Sequence, residues 1–273
     1  MKKGIRGHDV RAQGIPAICE MMKDNGMEYI QLVLERSIGF KPGEYTDELA
    51  NSVAEQLGDT KIAILGSYIN PSATDPAVRE GEINKFKEKI RFAKILKPLA
   101  VGTETGFFGP TQSDEVNNTE EAYQHVLGTM RPIVEYAEEC GVNVAIEGVG
   151  IFVINSPAKM ARIVADLDSE NVKVIFDPVN YLDAKNYKEQ DDIINDTFEL
   201  LSDRLVAIHA KDFSVDENGK MTYPDPGLGM LNYPLILANM KKYGVDVPII
   251  MEGINEERAK ESFERLAKIS EEI

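Results

Sequence analysis

Several residue types are scarce in this sequence, and each scarcity excludes a class of protein. The 273 residues include only two cysteines, Cys19 and Cys140, which form no C-x-x-C pair and are too few for a disulfide scaffold. No apolar run approaches the roughly 18 residues of a membrane span, and the opening MKKGIRGHDV lacks the apolar region of a signal peptide. We therefore expect a cytoplasmic protein without a membrane partner, in which both cysteines are small core residues.

Positive charge is also in short supply. Lys and Arg number 30 against 46 Asp and Glu, which gives a formal net charge of −16. A field of this sign repels nucleic acid and anionic membranes at long range, so we expect neither as a partner. The sequence also contains no P-loop, no dinucleotide-binding fingerprint and no nucleophile elbow, which gives nucleotide and acyl-transfer chemistry no support.

Short β-rich apolar runs alternate with longer amphipathic segments along the whole chain. This alternation is typical of a parallel sheet covered by helices, and eight strand and helix pairs favour a closed (β/α)₈ TIM barrel over an open sheet. Because no linker-like tract divides the chain, we predict a single barrel domain over residues 1–273. The predicted strands are GIRGHD (4–9), EYIQLVL (28–34), KIAILGSY (61–68), LAVGTE (99–104), NVAIE (143–147), VKVIFD (172–177), LVAIHA (205–210) and VPIIME (247–252).

The last four predicted strands each end on or next to a polar side chain: Glu147, Asp177, His209 and Glu252. In such a barrel the carboxyl ends of the strands form the mouth, where catalytic residues collect. Carboxylates roughly 5 Å apart, at an effective dielectric near 20, repel by about 3 kcal/mol per pair, so protons or a cation must be present. Oxygen ligands with one imidazole suit Mn²⁺, Mg²⁺, Co²⁺ or Zn²⁺, and we predict a divalent metal site. The alternative is that the four residues bond to backbone or to lysines such as Lys211.

These residues lie in short motifs along the chain: AIEG with Glu147, DPVN with Asp177 and Asn180, HAKD with His209, GLGMLN at 227–232, and MEG with Glu252. In this order and spacing the motifs resemble those of the xylose-isomerase-like barrels of the sugar isomerase, epimerase and AP endonuclease superfamily, and the resemblance spans nearly the whole chain. The AP endonucleases of this superfamily have a three-metal site with several histidine ligands. This chain is acidic and has three histidines in all, which argues against DNA cleavage.

The resemblance implies an enzyme in which the four residues bind one divalent ion, with Mn²⁺ expected first and Mg²⁺, Co²⁺ or Zn²⁺ as alternatives. The ion would hold two oxygens of a hydroxy-ketone or hydroxy-aldehyde and stabilise the enediolate that forms when the adjacent C–H loses its proton. Glu147 and Glu252 are then the expected acid and base of a sugar or sugar phosphate isomerase or epimerase. Two alternatives stay open: a dehydratase of a keto-polyol or hydroxy acid, and a non-catalytic metal- or sugar-binding barrel. Relatives often associate, so a homo-oligomer is compatible with the resemblance.

The sequence departs from the ketose 3-epimerases at three points. Asn180 occupies the position of a histidine in those enzymes, and Val215 occupies the position of a substrate-binding arginine. The chain also has no Trp that could line a sugar site. These differences argue against a ketose 3-epimerase specifically. Lys211 is either an anchor for a phosphate or carboxylate or a partner of Asp177 and Glu252. The candidate substrate-binding residues are His8, Tyr68, Glu104, Asn180 and Lys211.

Overall fold

The fold is a closed ring of eight parallel strands. A computed structural model describes residues 1–40, 45–109 and 114–273. Each barrel strand pairs with two neighbours, and the first strand closes on the last, so the predicted (β/α)₈ barrel is confirmed. The barrel strands are β1 (Lys2–Arg6), β2 (Tyr29–Leu32), β3 (Lys61–Gly66), β4 (Ala100–Glu104), β5 (Val144–Glu147), β6 (Val172–Phe176), β7 (Leu205–Ala210) and β10 (Pro248–Met251). A small antiparallel hairpin, β8 (Ser214–Val215) with β9 (Met221–Thr222), follows β7.

The first strand is shorter at its carboxyl end than predicted. GIRGHD was expected to continue to Asp9, but β1 ends at Arg6. The Asp9 amide donates to the Arg6 carbonyl at 3.0 Å, and the Arg6 side chain binds the Asp9 carboxylate at 2.7 Å, so the chain turns here. His8 therefore lies in a turn rather than at a strand end. The other seven barrel strands begin and end within two residues of their predicted positions.

Helices follow every barrel strand and cover the outside of the ring. Side-chain caps set several of their starts: Thr119 accepts a hydrogen bond from the Ala122 amide before α6, and Asn255 accepts one from the Arg258 amide before α10. The fourth long helix, α6, continues unbroken through Pro132. The helices are α1 (Ile15–Asp24), α2 (Leu34–Ser37), α3 (Asp47–Leu57), α4 (Pro76–Leu96), α5 (Asp114–Asn117), α6 (Glu120–Cys140), α7 (Pro157–Leu167), α8 (Gln190–Leu201), α9 (Tyr233–Tyr243) and α10 (Glu256–Glu271).

Apolar side chains fill the space on both sides of the strands. The larger core lies between the strands and the helices, and a smaller one fills the inside of the ring. Gly102 on β4 permits the close approach inside the ring, because a Cβ there would lie 2.6 Å from the Ile64 side chain and 2.9 Å from that of Ile175. The smaller core consists of Tyr29, Ala63, Ile64, Ala100, Ala145, Ile175, Val206, Ala207 and Ile250.

Over the described ranges, none of the helices combines the length and the apolar character that crossing a membrane requires.

Candidate functional site

Four polar side chains converge at the carboxyl ends of neighbouring barrel strands. Glu147 ends β5, Asp177 follows β6, His209 is the next-to-last residue of β7, and Glu252 follows β10. One ligand atom from each lies within 4.8 Å of those of the other three, and all four residues are buried. The structure thus brings together the four residues that were predicted as metal ligands.

The carboxylates surround one nitrogen of His209. Its Nδ1 lies 3.2 Å from Glu147 Oε1, 3.0 Å from Glu252 Oε2 and 3.6 Å from Asp177 Oδ2. Burial alone would lower the pKa of His209, but Glu147 and Glu252 raise it well above its ordinary value. A single proton on Nδ1 cannot bond to three acceptors at once. A divalent cation at this point would neutralise the same oxygens more completely, and three carboxylates with one imidazole are a donor set that fits such an ion.

Asp177 is held so that one oxygen points into the cluster. Its Oδ1 accepts the backbone amides of Val179 (3.0 Å) and Asn180 (3.1 Å), which explains why the DPVN sequence turns directly after β6. Lys211 Nζ lies 3.0 Å from Oδ2, but without the geometry of a hydrogen bond. Within the described chain this buried oxygen has no hydrogen-bond partner, and it is therefore available to a metal ion.

Two cations hold the outer side of the cluster. Lys211 Nζ lies 2.6 Å from Glu252 Oε1 and 2.8 Å from Asn180 Oδ1, and Arg6 Nη1 lies 2.7 Å from the same Glu252 oxygen. Burial alone would raise the pKa of Glu252, but His209, Lys211 and Arg6 lower it well below its ordinary value. The pairing of Lys211 with Asp177 and Glu252, one of the two roles considered for it from sequence, is thus present beside the candidate metal ligands.

A cavity of about 490 Å³ opens next to these residues. Arg6, Asn180, Lys211 and Glu252 contribute polar groups to its lining. The volume lies in the range of small-molecule sites, and Glu252 is the member of the cluster that lines this cavity. The apolar part of the lining comes from Val149, Ile151, Val179, Leu182, Pro224 and Ile254.

Tyr68 and Glu104, two candidate substrate-binding residues, line a second cavity of about 90 Å³ together with Arg6, Arg36, Glu147 and Glu252. Glu104 pairs in register with Glu147 across β4 and β5. Burial and the neighbouring charges of Glu147 and Glu252 raise the pKa of Glu104 to about 7. The Glu104 carboxyl therefore exchanges its proton near neutral pH.

The other candidates lie in different surroundings. The Asn180 amide donates to Glu147 Oε1 at 2.8 Å, which places it as a support for a candidate metal ligand. His8 is not in the lining of either cavity. Its two ring nitrogens are buried and have no hydrogen-bond partner among the described residues, and burial together with Arg6 lowers its pKa to about 4. The earlier end of β1 moved His8 away from the predicted position, and Arg6 lines the cavities instead.

We expect Glu104→Gln to stabilise the metal-free protein in a pH-dependent manner. The folded protein holds the Glu104 proton up to a pH of about 7, whereas the unfolded chain releases it near its ordinary pKa of 4.5. The stability cost of Glu104 is therefore absent below that ordinary pKa, grows as the pH rises towards 7, and is complete above it. In EDTA, Tm should rise at pH 8 by roughly 2 to 4 °C for each kcal/mol relieved, with little change at pH 4.5. The exposed Glu264→Gln is the control, and an equal rise at both pH values would contradict the assignment.

Two further residues organise the site and were not predicted. Asp212 accepts the backbone amides of Phe213, Gly227, Gly229 and Leu231 at 2.8 to 2.9 Å, and so ties the HAKD motif to the GLGMLN loop. Gln31 is a fully buried polar residue in the middle of an apolar strand sequence. The signal in the sequence that pointed to it was an amide side chain inside the apolar run IQLVL, residues 30–34.

Comparison with known proteins places the chain in a family. The sequence matches the family described as xylose isomerase-like TIM barrel over residues 19–269. The chain belongs to this family. The xylose isomerase-like assignment confirms the resemblance that the sequence motifs indicated. A protein of Methanocaldococcus jannaschii, described as uncharacterized, is 26% identical over 211 residues, which cover 75% of this chain and 68% of that protein.

Solved structures share the xylose isomerase-like fold over nearly the whole chain. An IolI protein with a bound zinc atom is 19% identical, with a TM-score of 0.77 and coverage of 100% of this chain and 97% of the other. A D-tagatose 3-epimerase-like protein is 20% identical, with a TM-score of 0.77 and coverage of 100% and 99%. A probable 3-DHS dehydratase of Bacillus anthracis is 18% identical, with a TM-score of 0.74 and coverage of 98% and 99%. At these identities the likeness establishes the fold.

Proposed function

We propose that this protein is a divalent-metal-dependent isomerase or epimerase of a sugar, a sugar phosphate or a related polyol. The observation that carries the proposal is the buried cluster of Glu147, Asp177, His209 and Glu252, which lies beside an open cavity of about 490 Å³. Among the structures with this fold, an epimerase-like protein and a zinc-containing protein support both the class of reaction and the metal. We expect Mn²⁺ first, with Mg²⁺, Co²⁺ or Zn²⁺ as alternatives.

All four residues would hold the ion. When bound, it would supply a Lewis acid that polarises the substrate carbonyl and so acidifies the adjacent C–H group. Asn180 and Lys211 keep two of the ligands in place from the protein side: the Asn180 amide bonds to Glu147 at 2.8 Å, and Lys211 lies 2.6 Å from Glu252.

We assign removal of the substrate proton to Glu147 and delivery of a proton to the opposite face to Glu252, and the two carboxylates have different partners. Glu147 is bonded by the neutral amide of Asn180 and lies 3.2 Å from His209 Nδ1. Glu252 is held by Arg6 at 2.7 Å and Lys211 at 2.6 Å, and two cations so close make a carboxylate a weaker base. These cations keep Glu252 ionised, so it takes up a proton from solvent before it delivers one to the face of the substrate carbon opposite Glu147, and Glu147 passes the proton that it removed to solvent.

Dehydration of a keto-polyol or hydroxy acid is the second candidate. The clamp on Glu252 favours it, because dehydration needs only one base at carbon: Glu147 would take the C–H proton, and that proton would leave with the substrate hydroxyl group as water. The solved structures with this fold include a probable dehydratase. The mass of the product separates the two candidates, since a dehydratase releases one water and an isomerase or epimerase does not.

The test begins with elemental mass spectrometry of the purified protein. We expect one divalent ion per chain, and then, with the best metal restored, a panel of ketoses, aldoses, their phosphates and cyclic polyols is incubated in deuterium oxide. Deuterium entering a substrate carbon, without loss of water, is the expected result. A protein that binds no Mn²⁺, Co²⁺ or Zn²⁺ would refute the proposal, and one that binds metal and sugar without any exchange or dehydration would be a binding barrel instead.

His209→Ala is expected to weaken metal affinity by more than about 100-fold, beyond the usual loss for a residue that only supports a ligand. Titration calorimetry with Mn²⁺ or Zn²⁺ measures it. His125→Ala is the matched control, because the His125 ring packs against Phe108 with centroids 4.9 Å apart, on helix α6 rather than at the cluster. Unchanged affinity in His209→Ala would remove His209 from the ligand set.

A further inference from the structure

Gln31 reaches across the inside of the ring to the candidate metal ligand His209. It lies on β2, whereas His209 lies on β7, and β1 and β10 separate these strands in the ring. Gln31 Oε1 nevertheless lies 2.6 Å from His209 Nε2, and both side chains are buried. The contact joins residues 178 positions apart in the sequence.

The chemistry of the imidazole decides the direction of this hydrogen bond. His209 Nδ1 faces three carboxylates, so it carries either a proton or a metal ion. In the metal-bound state Nε2 carries the hydrogen, because a neutral imidazole that binds a metal through Nδ1 has its one proton on Nε2, and in the imidazolium both nitrogens carry a hydrogen. The group opposite Nε2 must therefore be an acceptor, and Gln31 Oε1 is that acceptor.

The other end of the same amide fixes Tyr68. With Oε1 committed to His209, the Gln31 Nε2 group donates to the Tyr68 hydroxyl oxygen at 2.5 Å. The Tyr68 oxygen is thus an acceptor in this bond, and its own hydrogen is free to point elsewhere. Tyr68 lines the cavity of about 90 Å³ beside Glu104 and Glu147, so a donor hydroxyl is available there to a substrate oxygen.

We propose that Gln31 is a positioning residue that sets two groups of the site at once: the Nδ1 lone pair of His209 towards the metal, and the Tyr68 hydroxyl hydrogen towards the cavity. The inference rests on the proposed metal site. In this proposal the orientation of the Gln31 amide determines both which nitrogen of His209 can bind the metal and where the Tyr68 hydroxyl hydrogen points. Metal-binding histidines are generally held through their second nitrogen in this way, and loss of the partner costs about 10- to 100-fold in metal affinity.

Gln31→Met tests the first half of the proposal. Methionine keeps the length of the side chain without an amide oxygen, so the affinity for Zn²⁺ and for Mn²⁺ should fall about 10- to 100-fold by titration calorimetry. The imidazole signal gives a second measurement, because the chain has only three histidines to assign after ¹⁵N labelling. In the zinc-loaded wild-type protein we expect a slowly exchanging His209 Nε2–H proton, and in Gln31→Met the same proton should exchange rapidly with water.

Gln31→Glu and Tyr68→Phe separate the two halves. The carboxylate introduced by Gln31→Glu still accepts from Nε2–H, so this variant should keep metal affinity at or above the wild-type value and keep the imidazole proton protected. The same carboxylate cannot donate to Tyr68, whose hydroxyl should then turn towards it and away from the cavity. Tyr68→Phe should change metal affinity by less than about threefold, because Tyr68 touches His209 only through Gln31.

The outcomes distinguish this inference from the proposed function. A wild-type protein that binds no metal would overturn the proposed function and the orienting role together. A wild-type protein that binds metal, with unchanged affinity and an unchanged imidazole signal in Gln31→Met, would overturn the inference alone. Weaker metal binding in Gln31→Glu equal to that in Gln31→Met would also overturn it, because a purely structural role would explain both.

Discussion

Glu147→Gln is expected to reduce kcat by roughly 10²- to 10⁴-fold, the usual contribution of a positioned acid or base. The glutamine oxygen can still accept the Asn180 amide, which bonds to Glu147 Oε1 at 2.8 Å, but it cannot accept a proton from substrate. The change therefore removes the proposed base with little change in shape. Steady-state kinetics with the substrate found in the deuterium panel, at saturating metal, measures the loss.

Three observations accompany the kinetic test. Thermal unfolding should show that Glu147→Gln remains folded, and the exposed Glu264→Gln on α10 should retain wild-type kcat. Metal affinity must be measured in parallel, because Glu147 is also a proposed ligand. Near-native turnover in Glu147→Gln would refute its assignment as the base, whereas a loss fully restored by higher metal concentration would leave it a ligand only.

Lys211→Met is expected to destabilise the metal-free protein by roughly 3 kcal/mol, as for removal of one partner from a buried ion pair. Lys211 Nζ lies within 3.0 Å of Asp177 and Glu252, and without it the mutual repulsion of these carboxylates is less completely neutralised. In a protein of this size, Tm in EDTA should fall by several degrees, at about 2 to 4 °C per kcal/mol. Saturating Mn²⁺ should recover most of the loss, because the ion neutralises the same oxygens.

Lys94→Met, at an exposed position of helix α4, is the control and should leave Tm nearly unchanged with or without metal. A deficit in Lys211→Met that is equally large in EDTA and in Mn²⁺ would mean that Lys211 stabilises the fold by packing alone. An increase in the stability of the metal-free variant would contradict the electrostatic account entirely.

The barrel was predictable because periodicity and strand ends are local properties of the sequence. Runs such as NVAIE and VPIIME mark buried strands, and in a parallel ring their last residues must meet at one mouth, so the proximity of Glu147 and Glu252 follows from topology. Turns are less predictable. The pair that Arg6 forms with Asp9 ended β1 early and put Arg6, rather than His8, in the lining of the cavities.

Contacts across the ring were not predictable, because they depend on its diameter and on side-chain rotamers. The 2.6 Å contact between Gln31 and His209 is one such case. The clamp of Arg6 and Lys211 on Glu252 is another, and it gives two carboxylates that look equivalent in the sequence different partners. Asp212 belonged to the recognised HAKD motif, yet its four amide partners became apparent only from the folded loop.

The closure of the ring has a consequence for biosynthesis. The last strand, β10, pairs with both β1 and β7, and Glu252 follows it directly. A nascent chain on the ribosome therefore has no complete ion site until its final strand has emerged and joined the first. An ion bound there would therefore stabilise the finished ring and slow its opening, and would not act as the nucleus of folding.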